Sequence, residues 1–309
     1  MIDTVKFDEL WLVQKPCASF AESKTWQSRF METYYPGRFG GKAVPSRRWH
    51  LIHTPTGLRA SGSEAAMHQF EVSLPRVLFG HNGRLLKSQK EIDTAMDQVR
   101  EILDEIGEGP DEPPVFKRVD LVWQFKGDPK LFIAAHEKAR HRRIRRDAVR
   151  FENGSLTWIG SSRSVVIYDK LLEMTRNQPG DVVRAEVRLR GCALKRMFGP
   201  EPIRQLSFDR CYEAYRNTML GFCPNKVPRP SNFAESLAVA QREGWQSGGV
   251  SAFDIFCGHL GQRQRRRLQK QMAQIRGETF GFDWADLLPE GHPPAPVEIT
   301  DEMLAGAVV

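Results

Sequence analysis

Residues 155–170 read SLTWIGSSRSVVIYDK, and residues 181–191 follow as DVVRAEVRLRG. The first stretch is a β-like run, a turn of small residues holding one arginine, and three branched apolar residues that end on Tyr168, Asp169 and Lys170. Small residues between two apolar runs are what a tight hairpin needs. In the second stretch the alternation is strict. Val183, Ala185, Val187 and Leu189 share one face, and Arg184, Glu186, Arg188 and Arg190 share the other. One face belongs to a core and the other is heavily charged, so the pattern predicts a sheet with one packed and one open face.

Working outward, Ser88-Gln-Lys-Glu91 forms a capping box. Behind it Ile92, Met96, Val99, Leu103 and Ile106 recur at helical spacing as far as Gly107. Before this helix, HQFEVSLPRVLFG (68–80) reads as a strand running into a Gly-His-Asn-Gly turn. After it, a Pro-rich loop leads to the strand-like VFKRVDLVWQF (115–125). Asp128-Pro129 caps and opens a second helix, giving β-α-β-α from about 68 to 146. From about 201 helical patterns dominate, and Pro224, Pro228 and Pro230 mark a boundary. The expected architecture is α+β: a mainly antiparallel sheet carrying the active site, helices on one face, and a smaller helical C-terminal unit. The expected divisions are a catalytic domain over 1–225, a basic helical unit over 226–290 and a flexible tail over 291–309.

The chain has 309 residues, of which 40% are hydrophobic, enough to bury a sizeable core. Its 45 Lys and Arg against 38 Asp and Glu leave a formal charge of +7, which favours anionic partners. The opening MIDTVKFDELWLVQ lacks a basic segment followed by an apolar one, and no run approaches the roughly 20 apolar residues of a membrane span. A cytoplasmic protein without membrane contact is expected. Five scattered cysteines, none in Cys-x-x-Cys spacing, argue against a disulfide framework and a thiolate zinc site.

Two segments concentrate positive charge. KARHRRIRR (138–146) carries Arg142, Arg143, Arg145 and Arg146, and QRQRRRLQK (262–270) carries Arg265, Arg266 and Arg267, both expected on helices. Each alone fits a solvated helix face. With the Arg-rich row of 184–190 they fit a phosphate-binding surface.

There are five tyrosines: Tyr34, Tyr35, Tyr168, Tyr212 and Tyr215. If 165–170 is all strand, its period of two sets Tyr168 and Lys170 on one face, with the ammonium beside the phenol. A phenol with pKa about 10 is a poor nucleophile, and a neighbouring cation favours the phenolate. An amphipathic tyrosine at a sheet edge satisfies the same pattern. Tyr212 and Tyr215, three apart on a helical stretch, are the rival pair. Glu71, Asp120 and Glu186 interrupt apolar strands. They suit either an oxygen-rich Mg²⁺ or Mn²⁺ site or ion pairs with Arg76, Arg118, Arg184 and Arg188. His81 can add an imidazole, and the ligand types suit those metals better than zinc. Arg163 and the backbone of GSSRS could approach a phosphate.

MIDTVKF, EVSLPRVLFGHNG, KRVDLVWQF, SLTWIGSSRSVVIYDKLLE and VVRAEVRLRG, in this order, resemble the replication initiation proteins of filamentous phages, the gene II/X type. The Gly-Ser-Arg-x-Ser turn, the Ile-Tyr-x-Lys strand and the Arg-x-Glu-x-Arg strand are similar to those of some rolling-circle plasmid initiators. The resemblance covers roughly residues 1 to 200. It implies a site-specific, metal-dependent nickase that forms a 5′-phosphotyrosyl link and frees a 3′-hydroxyl. It places the nucleophile on Tyr168 beside Lys170, and polar positions on Glu71, His81, Asp120 and Glu186. The implied partners are origin DNA, single-stranded or supercoiled, with a host helicase and polymerase in a bacterial cytoplasm. The sequence lacks the His-hydrophobe-His triplet that many such initiators carry, and His50 and His53 do not supply it. Two readings from other classes are a DNA-binding replication regulator or single-strand binder that does not cut, and a nuclease that activates water.

Overall fold

In the computed structural model, the described residues are 1–15, 17–35, 44–136, 139, 141–144, 149–150, 155–176, 180–222, 263, 284–300 and 303. They form a mixed α/β structure whose strands build a large antiparallel sheet with a few helices. The chain groups into two compact units. One comprises Met1–Trp123 with Val187–Tyr215, the other Gln124–Glu186 with Arg216–Val309. The domain break expected near 225 lies outside the described residues, as does nearly all of 226–283.

In the first unit, β1 (Ile2–Val13), β2 (Trp26–Tyr35), β3 (Val44–His53), β4 (Arg59–Gly62), β5 (Ala66–Ser73) and the start of β7 (Val115–Lys126) run in the order β2-β3-β4-β5-β1-β7, with the short β6 (Gly107–Glu108) on β1. These neighbours pair antiparallel and set like side chains in rows. Phe70, Phe7 and Phe116 meet on the core face, with Phe7 stacked on Phe70 at 5.1 Å and edge-on to Phe116 at 6.1 Å. Glu71, Lys6 and Arg118 make the adjacent row on the other face. Gly107 is required where it lies, because a Cβ there would come within 1.8 Å of the Leu12 carbonyl.

Helix α2 (Gln89–Asp104) packs Ile92, Ala95, Val99 and Leu103 into this core. The capping box is half as expected. Ser88 Oγ accepts the Glu91 N–H at 3.3 Å, while the Glu91 carboxylate takes the Lys87 N–H rather than that of Ser88. The stretch expected as one strand over 68–80 splits. β5 ends at Ser73, and α1 (Leu74–Phe79) begins with Pro75 in its first turn. Proline presets a helical φ and needs no partner for its nitrogen at that position, and Gly80, at φ 77°, ends the helix.

The second unit holds the end of β7, α3 (Pro129–His136), β8 (Val149–Arg150), β9 (Leu156–Ile159), β10 (Arg163–Asp169), α4 (Lys170–Thr175), the start of β11 (Val182–Arg190) and α7 (Trp284–Leu287). Its strand order is β7-β11-β10-β9-β8, and β9 and β10 are the expected antiparallel hairpin, closed by Gly160 and Arg163. The remaining helices are α5 (Cys192–Phe198) and α6 (Phe208–Met219). An aromatic cluster of Phe125, Phe132, His136, Phe222 and Trp284 forms the core. From the segment expected as a tail, Val297 exchanges two hydrogen bonds with Gln124, and Ile299 is fully buried.

Two local expectations are corrected. The second helix ends at His136, and His141–Ile144 is a bridged turn, so Arg142 and Arg143 stand exposed on a turn. His141 holds that turn, bonding the Thr218 carbonyl and the Arg143 N–H at 2.8 and 3.1 Å. The charged row of β11 is also not open along its length: Arg184 is fully buried and bonds Gln124 at 3.3 Å.

Candidate functional site

β10 ends where it does because Asp169 is the N-cap of α4. Its carboxylate accepts the N–H groups of Leu172 at 2.9 Å and Gly180 at 3.0 Å. Tyr168 therefore stands next to the capping Asp169 at the end of the strand, and Lys170 is the first helical residue. Tyr168 is half-buried, and its hydroxyl donates to Glu186 Oε2 on β11 across a long 3.4 Å hydrogen bond. Glu186 is itself only 8% exposed.

Lys170 differs from the strand expectation. Because the cap ends the strand, the period of two does not reach it. The side chain is wholly buried, and its ammonium donates to Glu173 at 2.6 Å, one helical turn on. The ammonium also stands 6.0 Å from the centre of the Tyr168 ring, near the outer limit of a cation–π contact. Arg163 opens β10, five residues before Tyr168, which at the usual strand rise places their backbones about 16 Å apart. The structure does not bring Arg163 to the phenol.

The rival tyrosines are core residues. Tyr212 is 2% exposed and packs 6.2 Å from Trp123, and Tyr215 is fully buried. Tyr168 is the tyrosine that combines exposure with an acid at its hydroxyl among the described side chains.

The remaining acids stand in the first unit. Asp120, 1% exposed, takes the Arg118 guanidinium with both oxygens at 2.9 and 3.0 Å, and Arg188 at 3.2 Å. Glu71 shares Arg118 at 3.2 Å and has Lys6 at 3.9 Å. Arg118 thus ties Glu71 to Asp120 across β5, β1 and β7. His81 lies in the turn after α1, where Nδ1 accepts the Gly83 N–H. Guanidinium groups hold oxygens of Glu71 and Asp120 that a divalent cation would need, and among the described residues no three of His, Cys, Asp and Glu stand together as a metal-binding group. As placed here, Glu71, Asp120, Glu186 and His81 do not fit a Mg²⁺ or Mn²⁺ centre.

Two histidines of the second unit are strongly shifted. Burial lowers His136 to about 4, against the opposing pull of its bond to the Phe132 carbonyl. Burial lowers His141 to about 4 as well, with Arg163 and Arg143 adding to it and the Thr218 carbonyl opposing. In the first unit Glu9 lies on the core-facing row of β1 between Phe7 and Trp11. Burial raises it to about 7, although Arg100 and Arg204 pull it down.

Sequence reasoning placed Glu186 in a charged row but not against Tyr168, because adjacency of β10 and β11 is a long-range fact that no local pattern carries. The Lys170–Glu173 pair had a signal, the three-residue spacing of a helix, masked by reading 165–170 as strand. Of the DNA-contacting candidates, Arg145, Arg146, Arg265, Arg266 and Arg267 lie outside the described residues.

No family model and no curated protein matches the sequence. A solved structure of a rolling circle replication initiator protein from Geobacillus stearothermophilus aligns over 91% of this chain and 97% of its own, with a TM-score of 0.34 and 10% identity. That overlap is too loose to constrain either fold or chemistry.

Proposed function

We propose that the protein nicks and transfers a DNA strand to initiate rolling-circle replication, with Tyr168 as nucleophile. The observation that carries this reading is the half-buried Tyr168 hydroxyl at a strand end, hydrogen-bonded to Glu186 at 3.4 Å. The five sequence blocks that resemble phage initiators support it. They fall on β1, on β5 with α1, on β7, on the β9–β10 hairpin with α4, and on β11.

In the proposed step the phenolic oxygen attacks phosphorus and its proton passes to Glu186. The bond from phosphorus to the 3′ oxygen breaks, and that oxygen takes a proton from water. The products are a 5′-phosphotyrosyl link and a free 3′-hydroxyl. The link conserves a phosphodiester for later rejoining, and the proton acceptor contributes in the manner of general base catalysis. No step is derived through a metal, because Glu71 and Asp120 are held by arginines.

The test is a covalent adduct between the full chain and labelled single-stranded DNA, stable to denaturation and mapped to Tyr168. A second reading, a regulator that binds DNA without cutting it, draws on the basic clusters, of which Arg142 and Arg143 are exposed. Such a protein would bind the same DNA and leave no adduct.

A further inference from the structure

The sheet face of the first unit that carries Glu71, Lys6 and Arg118 continues toward β2, row by row. Arg59 lies opposite Glu71, and Ile52 opposite Arg59. In the next row Gln69, Ser61, His50 and Arg29 stand opposite one another in turn, from β5 to β2. One row further, Arg48 lies opposite Met31. The balance of charge changes along this face. Toward β7 and β11 the arginines meet carboxylates: Arg118 and Arg188 hold Asp120, and Arg118 and Lys6 share Glu71. Toward β2 the arginines outnumber the acids. Arg29, Arg48 and Arg59 are exposed, and none pairs with a carboxylate among the described residues. Arg48 reaches the neutral Gln69 at 3.2 Å, and Glu71, the acid opposite Arg59, is already taken by Arg118 and Lys6. The local field acts on His50, which is lowered by burial and then by Arg48 and Arg29.

Guanidinium groups left without counter-charge on one exposed face suit an anion from outside, in keeping with the chain's +7 charge. The planar fork of arginine matches phosphate oxygens, and Ser61 and Gln69 between the arginines are of the neutral polar types that also contact phosphates. From Arg48 to Ile52, which lies opposite Arg59, is four residues of β3, about 13 Å at the usual strand rise. One strand of a duplex carries about four phosphates over that length. The outward side chains of these rows include no Phe, Tyr or Trp on which an unpaired base could stack, which favours a duplex over a single strand. We infer that this face of β2, β3 and β4 docks the phosphate backbone of duplex DNA through Arg29, Arg48 and Arg59. The inference rests on the proposed function only in taking the nucleic acid to be DNA.

The experiment is fluorescence anisotropy of the full chain with a labelled duplex and with an oligothymidylate of equal length, over a range of salt. Arg29→Gln, Arg48→Gln and Arg59→Gln are each expected to lower the slope of log affinity against log salt for the duplex by about 0.9, and the triple variant by about 2.7. Arg48→Lys keeps the charge and is expected to keep the slope. Arg47→Gln is the comparison, since Arg47 lies on the other face of the same strand and holds Glu32 at 2.6 Å; its slope is expected to match the parent. Thermal melts check that the variants remain folded. An unchanged slope in the triple variant, a loss in Arg47→Gln as large as in Arg48→Gln, or no binding of the duplex by the parent would overturn the inference. A slope change confined to the oligothymidylate would overturn it too. The adduct at Tyr168 is scored separately. A face that binds as described in a chain that forms no adduct would leave this inference standing and remove the nicking reading.

Discussion

Tyr168 and Glu186 are joined by one hydrogen bond, and the proposed chemistry assigns each a distinct loss. Glu186→Gln keeps the shape and can still accept through its amide oxygen, but it no longer takes a proton. Adduct formation is expected to slow by about 10²–10⁴-fold with DNA affinity unchanged, as single-turnover rates and binding titrations would show. A loss confined to affinity would place Glu186 in DNA binding instead. Asp120 is a different kind of residue, a buried carboxylate between two guanidinium groups. Asp120→Asn leaves those cations without their counter-charge and is expected to destabilise the fold by about 3–5 kcal/mol. Thermal melts with and without Mn²⁺ should show the same loss, and a loss seen only with Mn²⁺ would make Asp120 a metal ligand after all.

At the scale of elements, the turn from β10 into α4 depends on Asp169, whose carboxylate accepts two backbone N–H groups. Asp169→Ala is expected to cost about 1–2 kcal/mol in urea denaturation and to slow adduct formation by loosening Tyr168. The cap shows what was legible in the sequence. Residues whose partners are near in sequence could be read: Ser88 with Glu91, Asp128 with Lys130, and the small residues of the 160–163 turn. The alternation of β11 was legible too, and its apolar row is fully buried. What could not be read depended on distant partners. Arg184 is buried because Gln124 meets it and Val297 holds Gln124, and Arg142 and Arg143 lie on a turn that His141 ties to Thr218.

Glu9 belongs to this scale as well, an acid on the packed row of β1. Its carboxyl, raised from 4.5 to about 7, holds a proton more tightly when folded than when unfolded. Its contribution to stability is therefore full below about 4.5 and is lost as pH rises toward 7. Glu9→Gln removes that dependence. The stability of the variant relative to the parent should increase between pH 4.5 and 7 in urea melts and level off above that. A constant difference would mean that Glu9 titrates normally.

Among the described residues, two strongly shifted buried histidines weaken the fold in acid. His136 and His141, lowered from 6.5 to about 4, must be neutral in the folded state while the unfolded chain protonates them near 6.5. Stability is fully present above 6.5 and declines as pH falls toward 4. The fully buried His136 accounts for about 3 kcal/mol of that decline. Melts between pH 7 and 4 should show the fall, and His136→Phe, which keeps a ring in the aromatic cluster, should reduce it. Among the described residues no helix is long and apolar enough to cross a membrane. A Tyr168 nucleophile would attach this chain to DNA covalently. The most direct measurement is incubation of the full chain, and of Tyr168→Phe, with labelled single-stranded DNA and Mn²⁺, followed by denaturing electrophoresis and mass spectrometry of the shifted band. A DNA-linked peptide containing Tyr168 is expected from the parent and no shifted band from Tyr168→Phe, with DNA binding retained. Cleavage without an adduct, or an adduct that persists in Tyr168→Phe, would contradict it.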